Sequence, residues 1–96
     1  IIRENLYDHK FVEQHTVGFD ELAANVASYT PEWAAKITEL DANTIRTVAR
    51  EFAAAAPDAL AHNGWRTSNF QNSFQTERAI AILNALVGNW GTALFP

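Results

Sequence analysis

From residue 79 the chain reads AIAILNALV. The spacing predicts a helix over about 72–87, and along this stretch Ile80, Ile82, Leu83, Leu86 and Val87 leave it apolar nearly all round. A helix apolar on every side needs cover on every side. A chain of 96 residues can hardly supply that while also covering its other elements. The helix therefore either sits inside a larger body or keeps an apolar face that takes a partner or a second copy of the chain. It does not cross a membrane, because the run is about half of the ~20 apolar residues a span needs.

The rest of the chain predicts shorter helices with local start signals. Asp8 precedes HKFVEQHT, which places Phe11 and Val12 on one face, and Gly18 is the expected breaker after it. Asp20 caps a second helix to about Ser28, with Leu22 and Val26 at i, i+4 spacing. Thr30-Pro31-Glu32-Trp33 is a helix start: Thr30 caps, Pro31 has no N–H to lose, and Glu32 suits the positive end of the dipole. Asp41 opens the most regular helix, 42–56, whose apolar stripe is Ile45, Val48, Ala49, Phe52 and Ala53. Arg46, Arg50 and Glu51 lie on its outer side, and Pro57-Asp58 ends it. Ala59-Leu60-Ala61-His62 reads as one short buried strand, and Asn63-Gly64 as a turn. Trp33 is expected in the core, and Trp90 in the core or an interface.

The expected fold is thus mainly α, with four to five helices and one short strand. Residues 1–40 form a helical part, and residues 41–96 a helix–strand–helix part. An isolated strand must pair its backbone groups somewhere. Helix, strand, turn, helix is the order of an α/β layer, which makes the chain a fragment of an α/β domain whose other strands lie outside it. Ile1-Ile2-Arg3-Glu4 reads like the interior of a helix, and Ala93-Leu94-Phe95-Pro96 is an apolar end. Both suggest a segment of a longer protein, or alternatively processing.

Charge and composition narrow the chemistry. The formal net charge is −4 and the basic residues form no cluster, so nucleic acid is not an expected partner. Without cysteine there is no thiolate metal site and no iron–sulfur ligation within the chain. His9 and His15 are six apart and share no helix face, and His62 is remote, so no metal ligands are assigned.

The polar stretch HNGWRTSNFQNSFQTERA, 62–79, follows the expected strand and precedes the last helix. In α/β sheets ligands sit at such junctions, where helix N–H groups meet anions. Gly64 permits close backbone approach, Trp65 offers a flat wall, and Arg66 presents a planar fork for phosphate or carboxylate. Asn63, Asn69, Gln71, Asn72 and Gln75 each donate and accept, which suits a purine or pterin edge. The structural alternative stays open: Asn and Gly make turns, Ser and Asn cap helices, and Gln and Arg solvate a face. No phosphate-loop or dinucleotide glycine pattern is present. A nucleophile–base pair of Ser68 or Ser73 with His62 lacks any elbow motif.

Taken in order, LYDHKFVEQHTVGFDELAANVASYTPEWAAKIT, TIRTVAREFAAAAPDALAHNGW and ERAIAILNALVGNWG resemble the large catalytic subunit of molybdopterin oxidoreductases of the dimethyl-sulfoxide-reductase type. The stretch 62–91 most resembles the polysulfide, thiosulfate and tetrathionate reductase branch. Departures are Asn63, where a proline is common, Asp41, where proline often opens the helix, and Thr92-Ala93-Leu94-Phe95-Pro96, where a glycine pair usually follows.

The resemblance implies a segment of the central α/β cofactor-binding domain of a multidomain enzyme. It implies a molybdopterin guanine dinucleotide with molybdenum as the parent's cofactor. It implies reduction of a small sulfur compound such as polysulfide or thiosulfate. The turn Gly64-Trp65-Arg66 would face cofactor and substrate, with Arg66 the substrate contact and Asn69, Gln71 and Gln75 as neighbours. Expected partners are the remainder of the catalytic subunit and an iron–sulfur electron-transfer subunit. A prokaryotic periplasmic or membrane-associated parent is expected. The segment alone has no redox chemistry of its own. The contrasting expectation is a non-catalytic helical module derived from the same scaffold, forming homo-oligomers or partner contacts through its exposed apolar surface.

Overall fold

The structure, a computed structural model, describes residues 1–90. It is mainly helical: α1 His9–His15, α2 Phe19–Val26, α3 Pro31–Thr38, α4 Ala42–Ala55, a 3-10 turn Thr67–Asn69, and α5 Ser73–Leu86. The apolar ending after Gly91 lies outside the described residues.

The helix starts follow from local chemistry. The Asp8 carboxylate accepts from the Phe11 N–H at 2.9 Å. The Thr30 hydroxyl accepts from the Trp33 N–H at 3.1 Å, with Pro31 in the first turn. Asp41 accepts from the Asn43 and Thr44 N–H groups at 3.0 and 3.2 Å. Each satisfies donors that a helix end leaves orphaned. Substituting Asp41 with alanine is expected to cost about 1 kcal/mol, read as a lower urea midpoint at unchanged slope. Gly18 differs from expectation. It adopts φ +81° as the residue before α2, which starts at Phe19 rather than after Asp20. α1 instead ends at Thr16, whose backbone is extended and whose hydroxyl donates to the Val12 carbonyl at 2.5 Å.

Residues 1–6 are not helical. Asn5 takes a left-handed conformation, φ +63°, and turns the chain, with its N–H donating to the Ile2 carbonyl and the Leu6 N–H to that of Ile1. Asn is among the few residues that tolerate this region, and it interrupts the helical pattern that Ile1-Ile2-Arg3-Glu4 suggests. The turn places Arg3 to donate to the Ala27 carbonyl at 2.9 Å, beside the C-terminal end of α2. It also places Glu4 in a two-bond pair with Arg50 of α4, at 2.8 and 2.9 Å. Arg46 pairs with Glu32 of α3. The outer arginines of α4 thus tie it to two other segments. The Arg50 hydrogen bond holds the Glu4 carboxyl below its ordinary value, and Arg46 does the same for Glu32.

α3 packs on α4, and α1 and the 3-10 turn pack on α5. Val12 of α1 and Leu86 of α5 are buried, as is Val87 just past the end of α5. α5 is not covered all round: Leu83 is 37% and Phe74 75% exposed. Trp33, expected in the core, is 47% exposed and lies against Tyr29 with ring centroids 4.7 Å apart. A single pair of helices, α3 on α4, does not build a layer thick enough to enclose an indole.

Residues 59–62 pair with no strand among the described residues. Their backbone is held by side chains instead. Asn84, buried on α5, accepts from the Ala61 N–H at 2.9 Å and donates to the Ala61 carbonyl at 2.8 Å and that of Ile80 at 3.3 Å. Asn89, also buried, donates to the Ala59 carbonyl and to Asn84 Oδ1. A side-chain amide carries the donor and acceptor of a peptide group, so Asn84 takes the place a neighbouring strand would hold. The apolar run was visible in the sequence; the partner was a pair of asparagines rather than a strand.

At the far end of α5, the Asp8 N–H donates to the Leu86 carbonyl at 2.7 Å. Gly88 follows with φ +66°, and a Cβ placed on it would fall 2.5 Å from Asp8 Oδ2.

Candidate functional site

An open groove of about 610 Å³ lies between residues 63–67 and the start of α5. Gly64, Trp65 and Arg66 line one side, and Phe70, Asn72 and Thr76 the other. The expected residues Asn69, Gln71 and Gln75 do not line it. Asn69 closes the 3-10 turn, its N–H donating to the Arg66 carbonyl at 3.1 Å. Gln71 lies in the turn before α5, and Gln75 in the first turn of α5.

Three properties set what the groove can do. Trp65 is 97% exposed, and Phe70 is also exposed, so flat apolar faces stand open to a planar ligand. Among the described residues the Arg66 guanidinium has no carboxylate partner, so its fork remains available to an anion. Asn72 puts no side-chain cap on α5, which leaves first-turn N–H groups, including that of Gln75, directed out of the helix end.

The turn itself is tightly organised. Gly64 adopts φ +69° with nothing within 4 Å of a built Cβ, so glycine serves the backbone conformation here rather than a close approach. The Gly64 N–H donates to His62 Nδ1 at 2.9 Å, which assigns the proton of the neutral ring to Nε2. Phe70 N–H donates to the Ser73 hydroxyl at 2.8 Å, and that hydroxyl donates to the Phe70 carbonyl at 2.5 Å. Ser73 is therefore used in the turn, and no hydrogen bond joins His62 to Ser68 or Ser73 among the described residues.

Glu77 is the polar residue that sequence reasoning missed. Its carboxylate accepts from the Thr67 hydroxyl and from Asn63 Nδ2. These bonds, Thr67 first, hold its carboxyl below the ordinary glutamate value, against partial burial that raises it. Its only sequence signal was an acid one helical turn beyond an uncapped start. Asn63, read as a ligand donor, is engaged by Glu77 instead.

No family model matches the chain. Individual curated proteins do. The thiosulfate reductase molybdopterin-containing subunit PhsA of Salmonella typhimurium is 45% identical over 93% of this chain and 12% of its own length. The probable dimethyl sulfoxide reductase chain YnfF of Escherichia coli is 41% identical over 95% of this chain and 14% of its own. Formate dehydrogenase H of Escherichia coli is 41% identical over 95% and 13%. The chain spans about an eighth of the length of the curated relatives it matches. These matches run along nearly the whole chain, across relatives of different named activity. By sequence, then, the chain belongs to the molybdopterin oxidoreductases of the dimethyl-sulfoxide-reductase family and corresponds to one segment of those longer proteins.

Proposed function

We propose that this segment forms one wall of the site for a molybdopterin guanine dinucleotide in a parent oxidoreductase that reduces a small sulfur compound such as thiosulfate or polysulfide. The observation that carries the reading is Arg66, a guanidinium without a carboxylate partner among the described residues, set in an open groove beside the exposed ring of Trp65. The donor set fits the group: a cation and uncapped helix N–H groups for a pyrophosphate, and aromatic faces for a fused ring. Gly64 shapes the turn, Trp65 walls the ring, and Arg66 meets phosphate or an anionic sulfur substrate. Gln75 contributes at the α5 terminus, with Asn69 and Gln71 supporting the turn. Bound metal would supply the two-electron chemistry, and these residues orientation and electrostatics. The thiosulfate reductase relative supports the sulfur substrate. The remainder of the parent subunit and an iron–sulfur electron-transfer subunit are the partners this reading requires.

Guanosine diphosphate added to the ¹⁵N-labelled 96-residue chain should shift amides within 64–76. Arg66→Ala should weaken that binding by roughly tenfold or more, the effect of losing charge-assisted hydrogen bonds worth about 1.5–3 kcal/mol. Arg66→Lys should recover only part, since an ammonium does not reproduce the fork. Shifts that are absent, or that ignore Arg66, overturn the reading.

The exposed Leu83 on α5 favours a second reading, a helical interaction module that associates through the side of the helix Leu83 marks. Concentration-dependent mass in solution, abolished by Leu83→Glu and insensitive to nucleotide, would support it.

A further inference from the structure

We infer that Glu77 is a positioning residue of this groove, clamping both ends of the turn that carries Gly64, Trp65 and Arg66. Asn63 opens that turn and Thr67 closes it, and one carboxylate on α5 takes a hydrogen bond from each. The three groove residues between them are thereby fixed relative to the helix. Glu77 and Asn84 stand seven residues apart, on one face of α5. Asn84 holds Ala61 and Glu77 holds 63 and 67, so two polar residues on one face of the helix seat the whole segment.

The carboxylate is not a ligand group in this arrangement, because each of its oxygens already holds a protein donor. Its charge matters all the same. A carboxylate accepts at both oxygens, whereas a protonated carboxyl turns one of them into a donor. The ionised form therefore holds both donors by charge-assisted bonds, whereas a protonated carboxyl or an amide keeps the Thr67 contact only reversed, as a weaker neutral bond. Thr67 and then Asn63 keep the carboxyl ionised below the ordinary glutamate range, partial burial opposes them, and the nearby His62, on the segment packed against α5, adds a smaller effect in the same direction as theirs. The Asn63 and Thr67 contacts to Glu77 are intact at neutral pH and weaken as pH falls through the depressed value.

That such a turn serves a ligand rests on the function proposed above; that Glu77 orders it does not. The test is amide hydrogen exchange and ¹⁵N spectra of the full chain without ligand. Glu77→Gln should speed exchange at the hydrogen-bonded Gly64 and Asn69 amides on the order of tenfold, while amides in the second half of α5 keep their protection. Wild type should show an acid transition confined to 63–69, with its midpoint below an ordinary glutamate, and Glu77→Gln should lack it. Glu77→Asp keeps the charge but shortens the reach, and should retain a transition with weaker protection. Unchanged exchange in Glu77→Gln overturns the inference. So does a wild-type acid transition that involves α5 and the turn together, a readout that holds even where the variant fails to fold. Guanosine diphosphate then separates the two readings. No nucleotide shift with the Glu77→Gln effect present removes the ligand and keeps the clamp; binding with an unaffected turn does the reverse.

Discussion

Replacing Asn84 with alanine should destabilise the chain by roughly 2–4 kcal/mol, since a buried backbone group left unsatisfied costs about 1–3 kcal/mol and the two left here, on Ala61, are part-buried. Asn84 is 1% exposed, and both the N–H and the carbonyl of Ala61 depend on it. Asn89 also loses an acceptor. Asn84→Leu separates packing from polarity. It refills most of the volume, so a loss nearly as large as that of alanine assigns the effect to the unpaired peptide groups, and a small loss assigns it to the cavity. Asn84→Asp keeps the acceptor for the Ala61 N–H but sets a carboxylate against the Ala61 and Ile80 carbonyls. It should be as damaging as alanine at neutral pH and less so in acid, where the protonated carboxyl donates. Urea unfolding followed by circular dichroism at two pH values reads all three variants.

Gly88→Ala should cost about 2–4 kcal/mol, combining left-handed strain with a steric clash. The added methyl would lie 2.5 Å from Asp8 Oδ2, 3.1 Å from its Cγ and 3.3 Å from its Cβ. Asp8 cannot swing aside freely, because its other oxygen caps α1 and its N–H holds the Leu86 carbonyl. Gly64→Ala is the control. Gly64 has nearly the same φ, +69° against +66°, and open space where Gly88 meets Asp8. Its cost should be near 1 kcal/mol, the strain alone. Equal losses at the two glycines would mean that the Asp8 contact relaxes without cost.

Helix starts were legible because caps are local: Asp8, Thr30 with Pro31, and Asp41 each act within three residues of themselves. What lay across the chain was harder to read. Nothing near Ala59 announces that its neighbour in space is Asn89, and nothing near Asn63 points to Glu77. One clue did stand in plain view: a single Asn inside AIAILNALV, where an exposed position was not available and a buried amide needs partners. Read that way, Asn84 predicts a backbone segment laid along α5, which is what the run 59–62 becomes. The groove was legible in Gly64, Trp65, Arg66 and Asn72, but not in Phe70 and Thr76, whose types carry no ligand signal of their own.

The joint between Asp8 and Leu86 has a kinetic consequence. α3 and α4 are neighbours along the chain, joined through the left-handed Glu39, and their contact closes a short loop. Residues 8 and 86 must instead be brought together from opposite ends of the described chain, and closing so long a loop carries a larger entropic penalty before any contact repays it. The α3–α4 hairpin is thus the natural nucleus, and the α1–α5 seam the step that completes folding. The groove lies within residues 63–76, a loop as short as that of the hairpin, so its closure does not wait for the seam.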